Sequence, residues 1–328
     1  MNIDKVRLMV NVFDSNGDLL RDYLPSGVWI PSPHHSNSED AVMFSLKYGK
    51  YYLSGSPLKW FYGHNICGPQ GMNMRLQSWA NEVMDAWRPG YSAEIVTINE
   101  LELFIMIDCE SEDVVNQTIY WLYMHGFVLK SKYRPMIFPS EGAGIGTLYF
   151  RPIGDGTPNT RWTLIRGYRK YDEIVNTQPY SLMLQLPSLP RCLRLEFDCR
   201  AGWLRPRIDR NDPLSMDLNA MLRDRMSRIV VCDPEHLVNP RELTDMESEI
   251  VDHWMQGEDV TTRCSAEMMK NIRYAKGFDL LRRYAEVCGY RYDLPHLSLE
   301  EISDTTCDIE PVLWEEAQRL LEGWNRVC

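Results

Sequence analysis

The chain has 328 residues, 44% hydrophobic and 25% charged, enough to bury one large core or two and too ordinary in composition for a disordered or fibrous protein. Its formal net charge of −11 argues against a uniformly basic nucleic-acid binder, and no apolar run reaches the length of a membrane span. Nine cysteines, an odd number without a CxxC pair, argue against a thiolate zinc site and a disulfide framework and fit a reducing cytoplasm.

The charge is unevenly spread. Residues 1–126 carry 8 basic and 15 acidic side chains, residues 127–210 carry 14 and 7, and residues 211–328 carry 13 and 24. The middle third alone is basic, which suits a surface that follows phosphates.

Residues 1–15 contain acidic groups and alternate like a strand, so they are no signal peptide, and residues 5–12 form the first strand. Ser15-Asn16-Gly17-Asp18 is a turn. Residues 25–40, rich in Pro, Ser and His, read as a loop; His34 and His35 point in different directions on an extended chain and make a poor metal pair. Residues 41–54 hold two short strands around a turn at Gly49. In residues 56–69, SPLKWFYGHNICGP, proline and glycine exclude a regular element throughout, leaving a tight aromatic loop that clusters Lys59, His64 and Asn65. Residues 72–87 place Leu76, Trp79, Val83 and Trp87 on one helical stripe, a core-packing face rather than a base-stacking platform.

Residues 98–108, INELELFIMID, alternate with period two. Leu101, Leu103, Ile105 and Ile107 take one face, and Glu100, Glu102, Phe104, Met106 and Asp108 the other, where the carboxylates make either a metal site or a wet surface. Ser111 caps a helix that stops at Gly126, and Lys130, Lys132 and Arg134 follow. The glycine-rich residues 141–146 precede a strand at 147–151 instead of following one and lack a GK[ST] ending, so they are a flexible turn and not a phosphate loop. After a loop at 155–159, residues 161–173, RWTLIRGYRKYDE, run from a strand into a turn or helix start. They bring Tyr168, Lys170 and Glu173 to the end of a β element. Tyrosine is a natural nucleophile for cutting DNA while holding the cut end; the same residues also describe a half-buried strand tyrosine with solvated charges behind it.

Residues 191–200, RCLRLEFDCR, are a strand with Leu193, Leu195 and Phe197 on one face and Arg194, Glu196 and Asp198 on the other. Cys109, Cys192 and Cys199 sit in strand-like segments as small core hydrophobes. Beyond residue 210 the pattern turns helical, near 214–229, 241–256, 263–288 and 311–326. The expected fold is α+β: an antiparallel sheet flanked by helices over residues 1–210, then a smaller α-helical unit over 211–328.

Several of these segments, in this order, resemble the gene II replication initiators of filamentous phages. Ser56, Pro57, Lys59, Gly63, His64, Asn65 and Gly68 match a Ser-Pro-x-Lys-x-x-x-Gly-His-Asn-x-x-Gly segment of that family. The strands INELELFIMID, GTLYF and LRLEFDCR, the Tyr-x-Lys-x-x-Glu of IRGYRKYDE, and residues 271–294 follow as family-like elements. The chain departs from the family at Glu100-Leu101-Glu102, which stands for Arg-Ile-Asp, and at Gly167, which stands for an apolar residue; it shows no His-hydrophobic-His pair.

The resemblance implies rolling-circle DNA replication, with nicking of one origin strand through a 5′-phosphotyrosyl link and later rejoining. It implies Tyr168 as nucleophile with Lys170 and Arg166 beside it, and Glu102, Glu173 and Glu196 holding a divalent metal, Mg²⁺ or Mn²⁺, with His64 as a further candidate. Lys59, His64, Asn65 and Arg194 are the expected DNA contacts. The implied partners are origin DNA, double-stranded and as the displaced single strand, together with a host helicase and polymerase in the bacterial cytoplasm, with no membrane. The alternative is a non-catalytic origin-binding or copy-control protein on the same scaffold; a metabolic enzyme finds no cofactor fingerprint in the sequence.

Overall fold

The computed structural model describes residues 2–20, 24–35, 40–69, 71–128, 133–138, 146–152, 165–175, 178–226, 229–231, 244–255 and 309–325. The expectations for Lys130 and Lys132, residues 141–145, the 155–159 loop, the start of the 161–173 stretch and the helix at 263–288 lie outside the described residues.

Nine strands form one sheet: β1 (Asn2–Phe13), β2 (Val28–Ile30), β3 (Val42–Lys47), β4 (Lys50–Gly55), β5 (Ser92–Asp108), β7 (Tyr133–Phe138), β8 (Thr147–Pro152), β9 (Ile165–Arg169) and β10 (Cys192–Arg200), with β6 (Gly126–Val128) pairing elsewhere. Their order is β2-β3-β4-β1-β5-β10-β9-β8-β7, every pairing antiparallel. A short second ladder joins β6 to β11 (Ile229–Val231). The helices are α1 (Pro57–Tyr62), α2 (Leu76–Trp87), α3 (Glu112–His125), α4 (Lys170–Val175), α5 (Ala201–Leu204), α6 (Leu218–Met226), α7 (Asp245–Met255) and α8 (Ile309–Asn325). None of the described helices is long and apolar enough to cross a membrane.

The antiparallel sheet with flanking helices and further helices toward the C-terminus is the α+β arrangement that the alternating segments predict. Strand β5 starts at Ser92, six residues before the period-two pattern begins at Ile98. The reason is irregular register against β1, with shifts between Arg7 and Leu8 and between Met9 and Val10 that break strict alternation along the first half of β5. One sheet face carries the core: Leu8, Leu53 and Phe44 line up across β1, β4 and β3, and Leu103, Phe197 and Leu195 continue it across β5 and β10. Helix α2 closes it with Leu76, Trp79 and Val83 buried, and Trp87 lies over Phe44 at 4.9 Å between ring centres. Cys67, Cys109, Cys192 and Cys199 are buried free thiols among the described residues.

Two expectations are corrected. Residues 25–40 contain a short edge strand, β2. Residues 56–69 contain a regular element after all. Ser56 caps α1 by accepting the Lys59 N–H, Pro57 occupies the first turn, and Gly63, at φ +70°, ends it by donating to the Lys59 carbonyl. Proline at the start and left-handed glycine just past the end are the start and stop signals of a helix, not bars to one.

Contacts cross residue 210. Asn73 Nδ2 donates to the Leu214 carbonyl at 2.9 Å, and the Arg225 guanidinium lies 3.8 Å from the Trp203 ring centre. Helix α8 buries Leu313 and Ala317 and sets Trp314 edge-on to Tyr62 at 4.8 Å.

Candidate active site

Four adjacent strands bring together residues far apart in sequence. Across β1, β5 and β10, Lys5 is opposite Glu102 and Glu102 opposite Asp198. One step along, Phe104 faces Glu196 and Glu196 faces Arg166; the next row is Met106, Arg194 and Tyr168. Side chains in register share a face, so Glu102, Glu196, Arg166, Arg194 and Tyr168 all stand on the side away from Leu103, Leu195 and Gly167. A register shift between Ile3 and Lys5 leaves room for Asp4 to turn to the same side. The result is a cleft of about 370 Å³ whose lining includes Asp4, Lys5, Lys59, Glu102, Tyr168 and Glu196.

Asp4, Glu102 and Glu196 each place a carboxylate oxygen within 4.8 Å of the others, and all three are buried. Arg166 bridges two of them, at 2.6 Å from Glu102 Oε2 and 2.8 Å from Glu196 Oε2. Arg194, fully buried with its guanidinium 3.6 Å from the Phe104 ring centre, donates to Asp4 Oδ2 at 2.8 Å and to Glu196 Oε1 at 2.7 Å. The Tyr168 hydroxyl donates to the same Glu196 oxygen at 2.6 Å. Lys170 donates to Asn65 Oδ1 at 3.0 Å and to Glu173 Oε2 at 2.5 Å. Asn65 Nδ2 in turn reaches both Asp4 oxygens at 2.9 Å.

The electrostatics are uneven. Burial pushes the Asp4 carboxyl up, but Arg194, Lys170, Lys5 and the Asn65 amide outweigh it and hold Asp4 below the usual carboxylate range. Glu102 goes the other way, pushed up to about 8 by burial first and then by Glu196 and Asp4. Its Oε1 is buried and has no hydrogen-bond partner. Burial, followed by the Glu196 carboxylate, raises the Tyr168 phenol well above its ordinary range. At an ordinary phenol pKa of about 10, roughly one molecule in a thousand would be ionised at pH 7. Here the fraction is smaller still, and the neutral hydroxyl is held by its hydrogen bond to Glu196 Oε1. An all-carboxylate donor set with one orphaned oxygen also suits a hard divalent cation.

The sequence-predicted residues are distributed as follows. Tyr168, Arg166, Glu102 and Glu196 meet, and Lys59 lines the cleft. Glu173 also lines it but engages Lys170; the third carboxylate beside Glu102 and Glu196 is Asp4. Asn65 reaches the cleft wall with its amide committed to Asp4 and Lys170. His64 and Arg194 have no exposed surface, so the expectation that they touch DNA gives way to a place beneath the site, Arg194 tying two carboxylates together. Glu100 lies outside, 3.6 Å from Arg7. His34 pairs with Glu82 and not with a metal-like cluster. Gly167 is explained by the opposite face: a Cβ there would come within 3.0 Å of Leu195 Cδ2.

Asp4, Lys5 and Tyr149 join the cleft without a prediction from sequence. The available signal is a carboxylate at position 4, directly before the alternating residues 5–12.

A family model described as the N-terminal region of a phage replication-associated protein, the gene II product, matches residues 34–209, more than half of the chain. The replication-associated protein of this type from Enterobacteria phage I2-2 is 32% identical over 138 residues, a match covering 38% of this chain and 34% of that protein. The chain therefore spans about a third of the length of that relative. Among solved structures, the rolling circle replication initiator protein from Geobacillus stearothermophilus aligns over 76% of this chain and 89% of its own, with 14% identity and a TM-score of 0.38.

Proposed function

The chain belongs to the gene II family of phage replication-associated proteins, and from that premise we propose that it initiates rolling-circle replication by nicking one strand of origin DNA through Tyr168 and later rejoining the displaced strand. The observation that carries the reading is the 2.6 Å hydrogen bond from the Tyr168 hydroxyl to Glu196, in a cleft that also holds Asp4, Glu102, Lys5 and Lys59.

In the cutting step the phenolic oxygen forms a bond to phosphorus as the bond to the 3′-oxygen breaks. The phenolic proton passes to Glu196, and the 3′-oxygen leaves as a hydroxyl after taking a proton. One phosphodiester is exchanged for another, so the reverse step reseals DNA without ATP. Arg166, Lys5 and Lys59 line the cleft as cations for phosphate oxygens. Lys170 sits 5.8 Å from the Tyr168 ring centre and, through Asn65, holds Asp4 in place.

Asp4, Glu102 and Glu196 are the residues that would hold a divalent cation, Mg²⁺ or Mn²⁺ by the oxygen-only donor set. Such an ion supplies polarisation of the scissile phosphate. The rival reading, a non-catalytic origin-binding protein, has one observation in its favour: Arg166 already neutralises both Glu102 and Glu196.

A supercoiled plasmid carrying the replication origin of the genome that encodes the chain, incubated with the protein and Mg²⁺, separates the two. The expected product is nicked circle with protein attached to the 5′ end, absent in Tyr168→Phe and retained in Tyr149→Phe and Tyr171→Phe. An adduct that persists in Tyr168→Phe would overturn the assignment, and its absence in the parent chain would favour the binding protein.

A further inference from the structure

The β3–β4 hairpin ends in Lys47-Tyr48-Gly49-Lys50, and three features set it apart. Tyr48 is 100% exposed. It also sits at φ +52°, followed by Gly49 at φ +70°, so the turn has both central residues in the left-handed region. Asn or Gly is the usual choice at the first of these positions, and a bulky aromatic there is an outlier. Fold stability gives no reason for it, because the ring packs on nothing. Finally, Lys47 and Lys50 are exposed cross-strand partners that make no ion pair among the described residues.

The register fixes which way these groups face. Lys47 and Lys50 share the sheet side of Ser45 and Tyr52, then of Met9 on β1. That side also carries Arg7, whose guanidinium lies 4.8 Å from the Tyr52 ring centre, and then Lys5 at the cleft. The nearest acids on this path are already held, Glu100 by Arg7 and Glu94 by the Asn11 amide. Val10 is opposite Tyr51, which puts Lys50 level with Asn11, six residues along β1 from Lys5. At roughly 3.3 Å per strand residue that is about 20 Å, or about six base pairs of duplex at 3.4 Å each.

We propose that the β3–β4 hairpin is a second DNA contact, in which Tyr48 packs into a groove and Lys47 and Lys50 hold phosphates of the duplex about six base pairs from the cut. It rests on the nicking function proposed above and extends it, because it gives the enzyme a grip on double-stranded DNA outside the reacting nucleotides. The partner chemistry is duplex nucleic acid: an aromatic ring between two lysines offers stacking and counter-charge together, on the same side as the cleft.

The test uses the full chain, a labelled 24-base-pair duplex of random sequence, and a single-stranded oligonucleotide containing the origin nick site. Tyr48→Asn keeps a residue that tolerates the turn, and the Lys47→Ala/Lys50→Ala pair removes the charge. For Tyr48→Asn the duplex affinity should fall about tenfold. For the double lysine variant the slope of log affinity against log salt should flatten by about 2. Melting temperatures should be unchanged, or raised in Tyr48→Asn, and adduct formation on the single-stranded oligonucleotide should match the parent. Duplex affinity within twofold of the parent and an unaltered salt slope would overturn the proposal. Failure of the parent chain to form any adduct is a separate failure, of the nicking reading; the duplex comparison still decides the hairpin by itself.

Discussion

His64 shows how a single residue can matter without touching substrate. Its ring is fully buried, and neither nitrogen has a hydrogen-bond partner. Burial, then the nearby charge of Lys170 and the neighbouring His35, pulls its pKa down to about 3. In an unfolded chain the same imidazole titrates near 6.5. Below pH 6.5 the unfolded state therefore binds a proton that the folded state refuses, so stability falls as pH drops, down to the folded value near 3. One such group contributes a slope of about 1.4 kcal/mol per pH unit. His64→Leu keeps apolar bulk and removes the titration. Between pH 6 and pH 4.5 it should lose about 2 kcal/mol less stability than the parent. Urea melts at pH 7, 6 and 4.5 measure this, and parallel stability curves for the two proteins would refute it.

At the scale of elements, residues 56–69 act as a clamp on β1. Ser56 Oγ donates to Asp4 Oδ1 at 3.3 Å, Asn65 reaches both Asp4 oxygens, and Asn2 Nδ2 donates to the Gly68 carbonyl at 3.3 Å. Gly68 permits the closure. A Cβ there would stand 2.3 Å from Leu58 Cδ2 and 2.9 Å from Asn2 Oδ1. Gly68→Ala should cost about 1–3 kcal/mol by overpacking. Adding Leu58→Ala should recover part of that loss, a non-additivity that a double-mutant cycle on thermal or urea melts reads directly. Additive losses would mean that Leu58 is not the obstacle. The same clamp marks where the sequence is legible and where it is not. Period-two alternation assigns Glu102 and Glu196 to the faces opposite Leu103 and Leu195 because side-chain direction is local. Which strands lie side by side is not local: Tyr168 meets Glu196 at a separation of 28 residues, Asn65 meets Asp4 at 61 and Lys170 meets Asn65 at 105. Asp4 escapes notice because a register irregularity, not alternation, turns it inward. The helix at Pro57–Tyr62 escapes because its proline and glycine read as breakers when they are its ends.

At the scale of the whole molecule, the described helices beyond residue 210 pack back toward the sheet. The change to a helical pattern places a boundary there, between the basic middle third and a stretch carrying 13 basic and 24 acidic side chains. Packing ties at least one helix back across it. Leu313 and Ala317 of α8 are buried in the same core as the sheet, and Ser188 Oγ donates to Glu316 Oε1 at 3.2 Å. Trp314 meets Tyr62 at the end of α1, the helix that also carries Lys59 to the cleft. Tyr62 is held from the other side by Arg75, whose Nη1 lies 3.1 Å from its hydroxyl. Trp314→Ala removes a half-buried ring and an edge-to-face contact, a loss of about 1–3 kcal/mol. If residues 211–328 fold as a separate unit, calorimetry should show two transitions and the substitution should lower only one. If α8 belongs to the sheet core, the transition that unfolds the sheet should itself move down, by about 2–4 °C for each kcal/mol lost. The second outcome is expected, because α8 packs against β5 and buries Leu313 and Ala317 in the same core as the sheet. A sheet transition that stays in place while another shifts would return α8 to the helical unit and leave α1 and Lys59 without its support.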